Sequence, residues 1–222
     1  MKRTLTRFLF FVLSLHTPGY AMTSEELTAA LKKQGADEVA LLEAFPVEIE
    51  AQQPDFLGGA RYLRVSVLDP HHPHLLHYVA GAEGNRIYRL KLGQPELERM
   101  QKELAPEIEN EEMALRYVQW VLQVSEGPAF WLLSSVKDVP FQPVAEGEED
   151  LAKEIAKAKK QLASKISAPK ASAAKDGFTV TQEAVRGLDL VRYEAAVAKN
   201  GRTELKKQTL VSELPVVYVL EE

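Results

Sequence analysis

Residues 61–92 read RYLRVSVLDPHHPHLLHYVAGAEGNRIYRLKL, and their alternation of apolar and polar side chains decides the fold class. In residues 61–68 an apolar residue at every second position alternates with Arg64 and Ser66, as in a half-buried strand. Two further strands are predicted at residues 75–81 and 86–92, joined by the turn-forming run GAEGN. This stretch therefore predicts a three-stranded antiparallel meander.

The same stretch contains a histidine cluster, DPHHPHLLH. Imidazole is the commonest transition-metal ligand, so one hypothesis is a zinc, copper or nickel site formed by Asp69, His71, His72, His74 and His77. His74 and His77 would share one side of a helical turn but would lie on opposite faces of an extended strand. The alternative is a solvated loop that contains histidines and binds no metal. No HExxH motif accompanies the cluster.

Toward the N-terminus the pattern is helical. Thr23 and Glu26 match a capping box, which predicts a helix from Ser24 to about residue 34, ended by Gly35. A second helix is predicted over residues 37–45.

Toward the C-terminus the pattern alternates between helix and strand. A helix begins at Pro95, and a second one, capped by Asn110 and running to about residue 124, is apolar around most of its circumference and so central and buried. A short strand follows at residues 129–134. Residues 147–167 carry one apolar stripe, which predicts a long amphipathic surface helix, and residues 168–177 are interpreted as a linker.

The final block returns to strands. Two are predicted at residues 178–184 and 188–198, and Asn200–Gly201 is a strong hairpin signal before a strand that begins at Arg202. A last strand is predicted at residues 215–220. The whole pattern predicts an α+β fold with N-terminal helices, an antiparallel meander, a central buried helix, a long amphipathic surface helix and a C-terminal antiparallel hairpin sheet.

The first 21 residues have the features of a secretory signal peptide. Lys2, Arg3 and Arg7 precede an apolar run, and the sequence GYA offers small residues at a cleavage site before Met22. We therefore expect an exported protein, periplasmic or secreted, in which residues 22–222 form one composite α+β domain. Its blocks at residues 22–145 and 177–222 are joined by the helix and the linker.

Charge and cysteine usage exclude several function classes. Removing residues 1–21 leaves 24 basic and 32 acidic residues and changes the net charge from −5 to −8. A net acidic chain argues against general nucleic-acid binding. Without any cysteine, disulfides, thiol nucleophiles and iron–sulfur clusters are excluded.

No recognisable catalytic motif is present in the sequence. The main functional hypothesis is therefore an exported binding or accessory protein without catalytic activity, whose partner is a protein or an envelope component. The alternatives are a metal-binding protein that uses the residue 71–77 loop and an envelope-directed hydrolase that uses acidic residues, for which Glu107, Glu109, Glu111 and Glu112 are the candidates.

Overall fold

The computed structural model describes residues 22–84, 86–90, 95–126 and 129–217. The signal peptide predicted at residues 1–21 lies outside these residues. So do the ends of two predicted strands, residues 91–92 and 218–220. The described part of the second of these, residues 215–217, is not a strand but forms an isolated bridge between Val216 and Phe141.

Five α-helices follow the order predicted from the sequence. They are α1 (Ser24–Lys33), α2 (Val39–Ala44), α3 (Pro95–Leu104), α4 (Glu111–Ser125) and α5 (Glu149–Leu162). The capping box that precedes α1 is confirmed, because Thr23 and Glu26 exchange both hydrogen bonds. Asn110 caps α4 by accepting a hydrogen bond from the backbone nitrogen of Met113 at 2.9 Å.

The meander is confirmed and contains one strand more than predicted. Sheet A consists of β1 (Val47–Gln52), β2 (Arg61–Val67), β3 (His74–Ala80) and β4 (Ile87–Leu90), in that order and antiparallel throughout. The unpredicted strand is β1, an edge strand that is exposed over most of its length.

Sheet B contains five antiparallel strands from the C-terminal half. They are β5 (Phe130–Leu133), β6 (Lys170–Ala174), β7 (Gly177–Arg186), β8 (Asp189–Ala198) and β9 (Thr203–Val211). The order is β5-β7-β8-β9, and β6 pairs with β7 beyond the end of β5.

Strand β6 corrects the prediction that residues 168–177 are a linker. The segment Lys170–Ala174 has little intrinsic strand preference, but it pairs along β7. Two polar contacts hold it there: the Ser172 and Thr179 hydroxyls lie 2.9 Å apart, and the backbone nitrogen of Ala173 donates to the Glu111 carboxylate at 2.9 Å. Tertiary pairing therefore determines the conformation of this segment.

Helix α4 packs against both sheets. Its buried side chains, among them Tyr117 and Trp120, share one hydrophobic core with one face of sheet A and one face of sheet B. A second core lies between the other face of sheet A and helices α1 and α2. A third includes Leu162 of α5 and the other face of sheet B. The predicted α+β class and the buried central helix are both confirmed.

The predicted Asn200–Gly201 hairpin connects β8 and β9 and docks onto the segment between α3 and α4. The Tyr117 hydroxyl donates to the Gly201 carbonyl at 2.9 Å and accepts from the Gln101 side chain at 3.0 Å. The backbone nitrogen of Ile108 donates to the Lys199 carbonyl at 2.9 Å. These bonds tie two helices to the tip of sheet B.

Within the described ranges, no helix has the length and apolar character that a membrane span requires.

Candidate functional site

The histidine cluster is divided between a bend and a strand. Asp69, His71 and His72 lie in the bend that joins β2 to β3, where the Asp69 carboxylate accepts a hydrogen bond from the backbone nitrogen of His71 at 2.8 Å. This bond is the main cause of a lowered pKa of Asp69. The carboxylate therefore has a structural role in shaping the bend.

His74 and His77 both belong to β3, so they lie on an extended strand and not on a helical turn. Their side chains therefore lie on opposite faces of sheet A. His74 is exposed at the start of the strand, opposite Val67, whereas His77 is half-buried opposite Arg64. Over the described ranges, no three or more His, Asp or Glu residues are grouped so that they could hold a metal ion. Metal binding by the cluster stays a prediction, and it would require the bend to bring His71 and His72 to a common ion.

His77 forms a close pair with Tyr62 of β2. The Tyr62 hydroxyl lies 2.6 Å from Nδ1 of His77, and the two rings stack with centroids 5.9 Å apart and an angle of 7° between their planes. Burial, and secondarily the charge of Arg64, lowers the pKa of His77, while burial raises the pKa of Tyr62 to about 12. Both groups are therefore uncharged near neutral pH, and the tautomer of His77 determines which of the two donates the hydrogen bond.

This pair lies at the boundary between a covered and an uncovered part of sheet A. Toward one end of the sheet, Tyr62 and Val79 are buried in the core shared with α4, and Trp120 meets Tyr62 edge-on at 5.7 Å. Toward the other end, Arg64 and Leu75 on the same face are exposed. His77 therefore has one side against the core and the other toward the uncovered surface.

We call this uncovered surface the open face of sheet A. Strand alternation and pairing register place its members on one side of β1, β2 and β3. They are Glu48, Glu50, Arg64, Ser66, Leu75 and His77. Leu68 follows β2 directly and continues its alternation on the same side, with its backbone nitrogen bonded to the Pro46 carbonyl at 2.9 Å.

Two features give the open face its chemistry. Leu68 and Leu75 remain 43% and 46% exposed and flank Ser66, so they form an apolar end. Toward β1 the face is charged: Arg64 donates to Glu50 at 3.2 Å, and Glu48 lies opposite Ser66. An apolar end beside an acidic border can bind a partner surface, because it combines buried contact area with charge selectivity.

Among the acidic candidates, Glu111 and Glu112 begin α4, and Glu107 and Glu109 lie in the segment before it. Glu111 accepts the hydrogen bond from Ala173 on β6 described above, so it closes part of a sheet edge. Glu107, Glu109 and Glu112 are exposed. A hydrolytic role for these residues stays a prediction.

A second concave surface lies between the two hairpin tips of sheet B and measures about 500 Å³. Small residues such as Gly177 and Ala196 line it, together with charged residues that include the exposed Arg202–Glu204 pair at 2.9 Å. The depression is wide open to solvent, and its Arg202 and Glu204 side chains already pair with each other.

Known protein families, curated proteins and solved structures were all compared with the chain, and none of them matches it.

Sequence reasoning identified His77 but missed its partner and its surroundings. Tyr62 is 15 positions away in the sequence, and only the β2–β3 register brings the two rings together. One signal for the acidic border was present: Glu48 and Glu50 alternate with apolar residues in the sequence VEIEAQ, which is a strand pattern.

Proposed function

We propose that this protein is an exported binding or accessory protein without catalytic activity, and that it docks a partner protein on the open face of sheet A. The observation that supports docking is the pair of leucines, Leu68 and Leu75, which stay more than two-fifths exposed on a sheet face whose other end is core. Neighbouring exposed aliphatic side chains with a polar border are typical of protein interaction sites.

The chemistry of the open face specifies the partner. The apolar end requires an aliphatic or aromatic side chain placed over Leu75. Glu48 and Glu50 favour a basic residue next to it, because Arg64 neutralises only part of the local negative charge. Nε2 of His77 can exchange a hydrogen bond with the partner's backbone, as donor or acceptor according to its tautomer. We therefore infer a peptide segment that carries an apolar anchor and a flanking Lys or Arg.

The test is site-specific photo-crosslinking in the cells that produce the protein. A photoreactive residue at position 75 should crosslink to one defined protein. The crosslinked product should disappear when Leu68→Ser and Glu50→Lys are added to the chain that carries this probe. A probe at Leu188, which is 41% exposed on a turn of sheet B, is the matched control. Equal crosslinking from both positions, or a product unaffected by the double variant, would contradict docking on this face.

Two further experiments test the other parts of the proposal. Robust turnover of hydrolase substrates by the purified chain, abolished by substitution of one acidic residue, would replace the binding proposal with the hydrolase alternative.

Export predicts that the protein isolated from cells begins at or near Met22 and fractionates outside the cytoplasm. A full-length N-terminus on cytoplasmic protein would refute export.

Metal binding by the histidine cluster is the remaining alternative, and it would require the bend to bring His71 and His72 to a common ion. Calorimetric titration with zinc, copper or nickel compares the wild type with a variant in which His71, His72, His74 and His77 are all alanine. Equal, weak binding by both proteins would dismiss this alternative.

A further inference from the structure

Strand β9 forms an edge of sheet B whose outer side has no strand partner among the described residues. It pairs only with β8, and residues 204–209 are exposed. At the opposite edge, Glu111 accepts a backbone N–H of β6 and so closes part of that edge. An open edge presents backbone donors and acceptors that can pair with another strand.

The hairpin geometry determines which residues of β9 point outward. The backbone nitrogen of Ala198 donates to the Arg202 carbonyl at 2.9 Å, so these two residues form a hydrogen-bonded pair. Such pairs alternate along an antiparallel ladder. Glu204 and Lys206 therefore direct their backbone groups toward β8, and Leu205 and Lys207 direct theirs toward the open edge.

We propose that a second copy of this chain pairs with this edge in an antiparallel manner, about a two-fold axis at Leu205. In this register Leu205 faces its own copy, while Glu204 lies opposite the partner's Lys206 and Lys206 opposite the partner's Glu204. The two sheets B then become one continuous sheet with about six inter-chain backbone hydrogen bonds.

Charge complementarity favours this register over pairing about a charged residue, although each exposed Glu204 also bonds Arg202 of its own chain at 2.9 Å. Symmetric pairing about Glu204, Lys206 or Lys207 would place two like charges directly opposite each other, which is destabilising. Symmetric pairing of the exposed edge strand β1 about Ile49 is disfavoured in the same way, because it would place Glu48 against Glu50. Leu205, which is 41% exposed, then gains an apolar contact with its own copy on the axis.

Sedimentation velocity over a wide range of protein concentration is the first test. The wild type should show a monomer–dimer equilibrium. Glu204→Lys should raise the dissociation constant of the dimer at least about tenfold, because the substitution creates two like-charge pairs. Adding Lys206→Glu should restore the wild-type constant. Glu146→Lys makes the same change of charge in an exposed turn and should leave the equilibrium unchanged.

A backbone variant separates edge pairing from side-chain effects. Lys207→Pro removes an outward N–H and leaves the β8–β9 ladder intact, so it should abolish the dimer without unfolding the monomer. A monomeric wild type at every concentration would overturn the proposal. So would a dimer that persists in both Lys207→Pro and Glu204→Lys.

Chemical crosslinking gives a direct measure of the register, because the chain has no native cysteine. Leu205→Cys places two thiols on the axis, with Cα atoms about 5.5 Å apart, so a short bismaleimide should join the two chains. Leu188→Cys, equally exposed in the monomer, is the control. Equal crosslinking of the two variants would refute the register.

Discussion

Replacing Gly201 by alanine tests the docking of the β8–β9 hairpin onto the segment that joins α3 to α4. An added Cβ would lie 2.6, 2.8 and 2.9 Å from Cβ, Cγ and Cδ of Pro106, which is well inside van der Waals contact. Gly201 also has a φ of +76°, a backbone conformation that costs any L-residue energy.

The proline cannot move away at low cost. Its ring is rigid, and the residues after it are held by two backbone hydrogen bonds, from Glu107 to the Phe56 carbonyl at 3.1 Å and from Ile108 to the Lys199 carbonyl at 2.9 Å. The backbone conformation should cost about 1 kcal/mol and the overpacking about 1–3 kcal/mol, so Gly201→Ala should lower the free energy of unfolding by about 2–4 kcal/mol.

Urea unfolding followed by circular dichroism measures this loss. The matched control is Gly35→Ala, because Gly35 has a similar φ of +68° and nothing within 4 Å of its added Cβ. The control should lose only the backbone contribution of about 1 kcal/mol. Equal losses in the two variants would show that the Pro106 contact carries no energy and would refute the reasoning.

Three further predictions concern single side chains. Tyr117→Phe should destabilise the protein by about 1–3 kcal/mol in urea unfolding, because the Gly201 carbonyl and the Gln101 amide lose their shared partner. Arg192→Ala should cost about 3 kcal/mol in the same assay, because it leaves the fully buried Glu183 carboxylate, 2.7 Å from the guanidinium, without its counter-charge. The pKa of His77 in the folded state lies below the ordinary 6.5, so the unfolded chain takes up a proton first as the pH falls. Stability should therefore fall as the pH drops below 6.5, and His77→Gln should lose that part of the pH dependence.

The first two of these predictions have a matched control. Tyr78→Phe should change stability by less than about 0.5 kcal/mol, because the Tyr78 hydroxyl is buried without a hydrogen-bond partner among the described residues. Arg202→Ala breaks an exposed pair and should also cost less than about 0.5 kcal/mol. Losses as large as those of the Tyr117 and Arg192 variants would contradict the reasoning. So would an unchanged pH profile for His77→Gln.

Local signals in the sequence predicted most of the secondary structure. The Thr23 capping box, the Asn110 cap and the hairpin at Asn200–Gly201 each depend on a few neighbouring residues, and all three are confirmed. The turn itself is not the two-residue type I′ turn that Asn200–Gly201 predicts, because only Gly201 has a positive φ and the loop closes between Ala198 and Arg202. Strand β6 was not predictable in this way, because a sequence of alanine, serine and lysine becomes a strand only through β7 and Glu111.

The candidate site was less accessible to sequence reasoning than the fold. The histidine cluster drew attention to residues 69–77, but the structure spreads these residues over a bend and both faces of a sheet. The open face exists because α4 covers only one end of sheet A, and coverage is a property of tertiary packing. No local pattern around Leu75 distinguishes a side chain that will be covered from one that will not.

The position of α4 between two sheets also predicts how amide protons exchange with solvent. Its central amides, around Val118, lie in the core shared by both sheets, so they should exchange only when the whole molecule opens. Amides of β9 and β1 lie at exposed edges and should exchange by local opening. A second copy would slow exchange at Leu205 and Lys207, and a partner on the open face would slow it in β1. One deuterium-uptake map would therefore distinguish the two binding surfaces in a single sample.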